Sequence, residues 1–174
     1  RSQLPAVGYR ETIKTAVSDV QGIHERLEAG LVEEFGACTL TVVPGELSDA
    51  LQFEDSVSEE DVPRKFVQSI EDGVLKGMTK GPSAGYPVLG LRVKCVGGDY
   101  DFMQSTEDHF RKAAERGLRL ALLEGGTRIL EPWHALSITV PQASVGAVLA
   151  DLTQRRGRIS RGDGRSRETS CEAL

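Results

Sequence analysis

The chain has 174 residues, of which 39% are hydrophobic and 27% charged, with a net charge of −5 and a mean hydropathy of −0.25. That composition supplies one good core or two small ones and excludes the disordered and collagen-like classes. No apolar run approaches bilayer length, residues 1–5 hold no signal-peptide core, and so acidic a body is a poor nonspecific partner for nucleic acid, which leaves local contact as the only route to RNA.

The charge is uneven. From Asp151 to Leu174, six arginines face four acids, a net of +2 that leaves −7 for the first 150 residues. Cys38, Cys95 and Cys171 are widely spaced and contain no CxxC pair, as expected of reduced thiols in a cytosolic or organelle-matrix protein. Because the chain starts without Met and stops inside a patterned segment, it reads as a fragment.

Val7–Val17 alternates loosely and predicts a strand, and 21–28 alternates more weakly. Gly36–Val43 is β-branched and apolar, and Leu51–Val57 follows the turn-rich Pro44-Gly45-Glu46. Together they predict a meander of antiparallel strands. Glu59-Glu60-Asp61-Val62-Pro63 opens a helix, with acids where the dipole favours them, and Val62, Phe66, Ile70 and Val74 form its apolar stripe with Val67, Leu75 and Met78. Residues 80–87 carry every turn signal, and Val88–Val96 predicts a strand with Leu89, Leu91, Val93 and Cys95 on one face.

Ser105–Leu123 predicts a second long helix capped by Ser105, with Asp108 at the capping-box position and Gly125-Gly126 as its end. His134–Val140 alternates, with Leu136, Ile138 and Val140 on one face. Pro141 ends that strand, and Val145, Val148, Leu149 and Leu152 then recur at helical spacing, with Ser144 as N-cap, Arg155 and Arg156 at the cationic end and Gly157 as the stop. A returning strand at Arg158–Ser160 makes the first part of a β-α-β unit. The domains implied are 6–128 and 129–174.

These segments carry a resemblance. Tyr9-Arg-Glu-Thr-Ile13, the Gly85-Tyr-Pro-Val88 strand entry, the Leu130-Glu-Pro132 strand start and the exit Ala150-Asp-Leu-Thr-Gln-Arg-Arg-Gly157 occur in the order found in the fourth and fifth domains of elongation factor G. The chain is identified as resembling a C-terminal piece of a divergent paralogue of that translational GTPase. The resemblance implies an α+β two-layer sandwich with a left-handed crossover, an exception to the usual rule, followed by the truncated start of a ferredoxin-like domain.

It also implies function. The fourth domain of the family reaches the decoding region of the small ribosomal subunit, where two tip loops meet transfer and messenger RNA during translocation. One tip is represented by Gly98, Asp99, Tyr100 and Asp101, with Asp101 where the family usually has His. The other runs from Ala29 to Gly36, and of the family's glycine- and arginine-rich pattern only Gly30, Phe35 and Gly36 remain. Both changes move the tip toward negative charge, which lowers RNA affinity. Recycling relatives and ribosome-protection relatives also alter this tip, and a non-ribosomal α+β interaction module is the rival class. Arg155, Arg156, Arg158 and Arg161 would hold ribosomal RNA phosphates or transmit motion between domains, or they only cap a helix and solvate a turn. Partners are then the ribosome and its RNAs, without membrane, and the fragment is expected to be monomeric.

No catalytic constellation is legible. A G-x-x-x-x-G-K-S/T loop is absent, so GTP and Mg are expected in an upstream domain and no cofactor in this one. Asp19-Val20-Gln21-Gly22 spells D-x-x-G without that loop. His24, His109 and His134 have no carboxylate or Cys at metal spacing and read as ordinary histidines, so no metal is expected. Glu33-Glu34 and Glu59-Glu60-Asp61 read as solvated charge, and Gly162–Leu174 as a poorly ordered tail with a strand starting near Thr169.

Overall fold

The computed structural model describes residues 8–134, 136–163 and 168–173; for 160–163 and 168–173 the backbone alone is described. The chain divides into two compact units, residues 1–131 and 132–174. Among the described residues, no helix is long and apolar enough to cross a membrane.

In the first unit, β1 (Arg10–Ile13) and β2 (Val17–Glu28) occupy the region where one strand and a weak second were expected. β2 turns tightly into the long β3 (Leu31–Pro44), then come β4 (Leu51–Asp55), α1 (Val67–Met78), β5 (Leu91–Asp99), α2 (Glu107–Glu124) and β6 (Thr127–Leu130). The main sheet has the order β2-β3-β5-β4, and β1 pairs with β6 in a separate two-stranded sheet. This corrects the meander. The β2–β3 hairpin is antiparallel, but β4 pairs only with β5 and runs parallel to it, because α1 carries the chain back before β5 inserts beside β3.

Two element boundaries move for identifiable reasons. The strand expected from Val88 begins at Leu91, because the Val88 amide is held by the Met78 carbonyl, the Leu89 amide bonds the Glu11 carbonyl, and Gly90 has φ +68°. α1 likewise starts later than expected, after a 3-10 turn at Arg64–Phe66, although Val62, Phe66, Ile70 and Val74 are all buried as the stripe required; Leu75 is exposed.

Both long helices lie on one face of the main sheet. α2 packs over β2 and β3, and α1 packs beside α2, with Phe66 stacked on Phe110 at a centroid distance of 4.5 Å. The core comprises Leu40, Val42, Leu91, Val93, Ile70, Val74, Phe110, Leu118 and Leu122 with their neighbours. Cys38 and Cys95 are free thiols within it, and burial pushes both upward in pKa, Cys95 to about 12.

The second unit contains β7 (Leu136–Pro141), α3 (Val145–Gln154), β8 (Ile159–Asp163) and β9 (Glu168–Ala173), with sheet order β7-β9-β8. β9 lies antiparallel between β7 and β8, which makes the latter two parallel to each other with α3 as their connection. The strand expected near Thr169 is β9, which supplies the central strand, and the returning strand expected at Arg158–Ser160 is β8, which reaches Asp163; residues 164–167 and 174 of the expected tail lie outside the described ones.

Two caps differ from expectation. Ser144 makes no side-chain cap bond. At the other end of α3, the Gly157 amide bonds the Leu152 carbonyl and the Arg156 amide bonds that of Thr153, the Schellman pattern. Arg156, with φ +66°, takes the left-handed position that glycine usually occupies, and Gly157 sits one residue beyond it.

Candidate nucleic-acid interface

The expected tip residues converge at one end of the main sheet, though largely as strand. Only Ala29 and Gly30 lie between the paired Glu28 and Leu31, and both have φ above zero, as a two-residue hairpin turn requires. Gly30 serves that turn with open space around it. Phe35 and Gly36 are therefore not loop residues: they pair with Glu25 and His24 inside the hairpin, and a Cβ on Gly36 would come within 3.0–3.2 Å of His109 and Phe110.

Gly98 and Asp99 end β5 opposite Cys38 and Ala37. A Cβ on Gly98 would sit 2.5 Å from both the Ala37 carbonyl and Val62, so close packing explains that glycine, and Tyr100 leans on the core. Asp101 has a job of its own. Its Oδ1 accepts from the amides of Met103 at 2.7 Å and Gln104 at 3.0 Å, closing an Asx turn, while its backbone amide donates to Ser105 Oγ at 2.9 Å.

Ser105 does not cap α2. Its hydroxyl donates to the Phe35 carbonyl at 2.9 Å, and the Phe35 amide donates to the Gln104 carbonyl at 3.2 Å, so the two tip segments are tied together. Thr106, in extended conformation, is the N-cap and accepts from the His109 amide; Asp108 instead pairs with Lys112 and Arg111. Replacing Asp101 with alanine is expected to leave the fold standing but cost about 1 kcal/mol through the lost turn bonds. Faster hydrogen exchange confined to the Met103 and Gln104 amides would register it.

Sequence reasoning missed a cluster at the base of this tip. Glu34 on β3 accepts from His24 Nε2 at 2.7 Å and from Arg26 at 3.1 Å, with His109 Nε2 at 3.4 Å and Lys112 Nζ at 3.8 Å. The His24 hydrogen bond and then the Arg26 bond hold the Glu34 carboxyl down to about 2, against burial. Glu34 is half-buried rather than part of a solvated pair, while Glu33 beside it is exposed. His134 is also exposed. Separations of 10 and 75 residues from Glu34 to the two histidines gave no motif; only the β2–β3 register, which sets His24 opposite Gly36, and the seating of α2 bring them together.

The tip displays apolar side chains outward among exposed charges, with Glu28, Glu33, Asp99 and Asp101 outnumbering Arg26. Leu27, Leu31, Phe102 and Met103 are 58%, 69%, 88% and 78% exposed, where an RNA-binding loop would show cations.

Within the basic run of the second unit, the Arg155 and Arg158 side chains have local partners. Arg155 pairs with Asp151 at 2.9 Å, Arg156 forms the helix cap, and Arg158 lies over the Trp133 ring at 5.2 Å. Arg161 stands opposite Glu172 in the β8–β9 ladder.

Family comparison matches residues 5–126 to elongation factor G, domain IV. The chain belongs to the elongation factor G family. Residues 128–173 match the elongation factor G C-terminus, so the two matches follow one another along the chain. A crystal structure of a protein from Thermus thermophilus is 31% identical over 98% of the chain, with a TM-score of 0.89. The chain spans 25% of that protein's length. The mixed α+β fold is that of the elongation factor G domain IV and C-terminal region, and the sequence resemblance is thereby established at the level of family and fold.

Proposed function

We propose that this chain is the ribosome-binding part of an elongation factor G-like translational GTPase, acting in tRNA–mRNA translocation in the cytoplasm, with GTP and Mg held by a domain upstream. The observation that supports this reading is the joined tip, in which the Ser105–Phe35 and Phe35–Gln104 bonds tie together the two segments that resemble the family's tip loops. Arg155, Arg156, Arg158 and Arg161 are assigned to ribosomal RNA or to a neighbouring domain of the full-length protein.

A second reading within the family has its own support. The exposed Leu31, Phe102 and Met103, together with an Asp101 carboxylate committed to its own loop, favour a recycling or ribosome-protection paralogue over a translocase.

Co-sedimentation of the full-length protein with ribosomes, with GTP turnover and salt varied in parallel, separates these. A translocase shows ribosome-dependent hydrolysis with the tRNA–mRNA complex advanced. Hydrolysis without advance identifies the recycling or protection class, and no ribosome association at all overturns both readings and returns the chain to a non-ribosomal interaction module.

A further inference from the structure

We propose that His24, Glu34 and His109 form a binding site for a single divalent transition-metal ion of the Zn²⁺ class, which clips the β2–β3 hairpin to the start of α2. His24 Nε2 and His109 Nε2 lie 2.7 Å and 3.4 Å from Glu34 Oε2, and the three residues offer ligand atoms that all lie within 4.8 Å of one another. An ion bound at about 2 Å from each donor holds its ligands a little over about 3 Å apart, so small side-chain movements suffice.

The His109 tautomer supplies the chemical argument. A carbonyl oxygen only accepts, so the 2.8 Å contact between His109 Nδ1 and the Gln104 carbonyl places the ring proton on Nδ1. In the neutral ring, Nε2 is then a bare lone pair, and it faces the Glu34 carboxylate at 3.4 Å. Neither group supplies a proton to that contact, and an ion placed between them would satisfy both. The backbone carbonyl behind His109 is also the kind of partner that orients a metal-ligating imidazole.

The surroundings are compatible with that cation. Arg26 bonds Glu34 through Oε1, while Oε2 faces both histidines, and there the ion would take the place of the proton now shared with His24 Nε2 at 2.7 Å. Lys112 lies 3.8 Å from Oε2 but pairs at 2.7 Å with Asp108, which holds it when an ion arrives. His24 Nδ1 is buried without a partner among the described residues, so a His24 that ligates through Nε2 would carry its ring proton there unpaired, and the orienting carbonyl belongs to His109 alone. Two imidazoles and one carboxylate suit Zn²⁺ and its first-row neighbours over Mg²⁺, which takes oxygen ligands. The rival occupant is a proton, giving an imidazolium at His109.

Isothermal titration of the untagged chain, first stripped with chelator, tests the assignment at neutral pH. The expected result is one equivalent of Zn²⁺ bound, no response to Mg²⁺, and an unfolding temperature that rises with Zn²⁺. His109→Ala, verified as folded by circular dichroism, should weaken binding by more than about tenfold, and Glu34→Gln should abolish the visible absorption of the Co²⁺-loaded chain. Absence of Zn²⁺ binding, or binding unchanged in His109→Ala, overturns the proposal and leaves the proton as the bridging cation.

Discussion

Replacing Glu11 with glutamine is expected to destabilise the first unit by roughly 3 kcal/mol at neutral pH, although the side chain touches no expected interface. Glu11 is fully buried on β1, and its carboxylate collects the amides of Ala84 at 2.8 Å, Tyr86 at 3.2 Å and Ser83 at 3.3 Å together with the Thr127 hydroxyl at 3.1 Å. One anion thus organises the loop of residues 80–87 and fastens it to β6. Gly81 approaches so closely that a Cβ there would fall 2.4 Å from the carboxylate. Glutamine keeps the shape but offers one acceptor oxygen and turns an NH₂ group toward donors.

The pH dependence follows from the same contacts. Burial opposes the charge, but the hydrogen bonds outweigh it and hold the Glu11 carboxyl below its ordinary value of 4.5. Its contribution is therefore complete above that value and disappears as pH falls through the lower folded value. Denaturant titrations of both chains should show the largest gap near pH 7 and convergence in acid. A gap under about 0.5 kcal/mol at pH 7 would mean that the loop finds other acceptors, since surface-like substitutions fall in that range.

Gly22→Ala is expected to cost about 3 kcal/mol or prevent folding altogether. The added methyl would lie 2.1 Å from the Ala113 carbonyl, 2.7 Å from the Gly117 amide nitrogen and 2.8 Å from the Gly117 Cα, all backbone atoms of α2 that cannot turn aside. Gly22 and Gly117 let β2 and α2 meet almost backbone to backbone, which explains the glycine of the D-x-x-G run without a nucleotide. Gly30→Ala is the control: nothing lies within 4 Å, so only the strain of φ +84° remains, about 1 kcal/mol. Thermal unfolding of the two variants should differ sharply. Equal losses would show that the helix lifts from the strand without penalty.

The contrast between those glycines marks where the sequence was legible. Gly30 follows a strand and precedes one, so its turn belongs to local chemistry. Gly22 sits in an alternating run where nothing nearby signals that a helix 91 residues later will lie on it. The same holds for Glu11, an apparently ordinary charge in a short strand, and for His24, His109 and Glu34, which read as bland because their partners are distant in the chain.

Periodicity by itself determined the three helices, the apolar stripe Val62, Phe66, Ile70 and Val74, most of the strands and the α+β class, because burial of one face imposes a repeat that short-range patterns record. Ordered motifs determined the family. Only the tertiary structure decided that β5 inserts between β3 and β4, that Ser105 joins the two tip segments while Thr106 caps α2, and that Glu34 gathers two histidines and two cations. Strand order, close backbone approach and charge clustering depend on which distant surfaces meet, and a side chain's partners there leave no periodic trace in the residues around it.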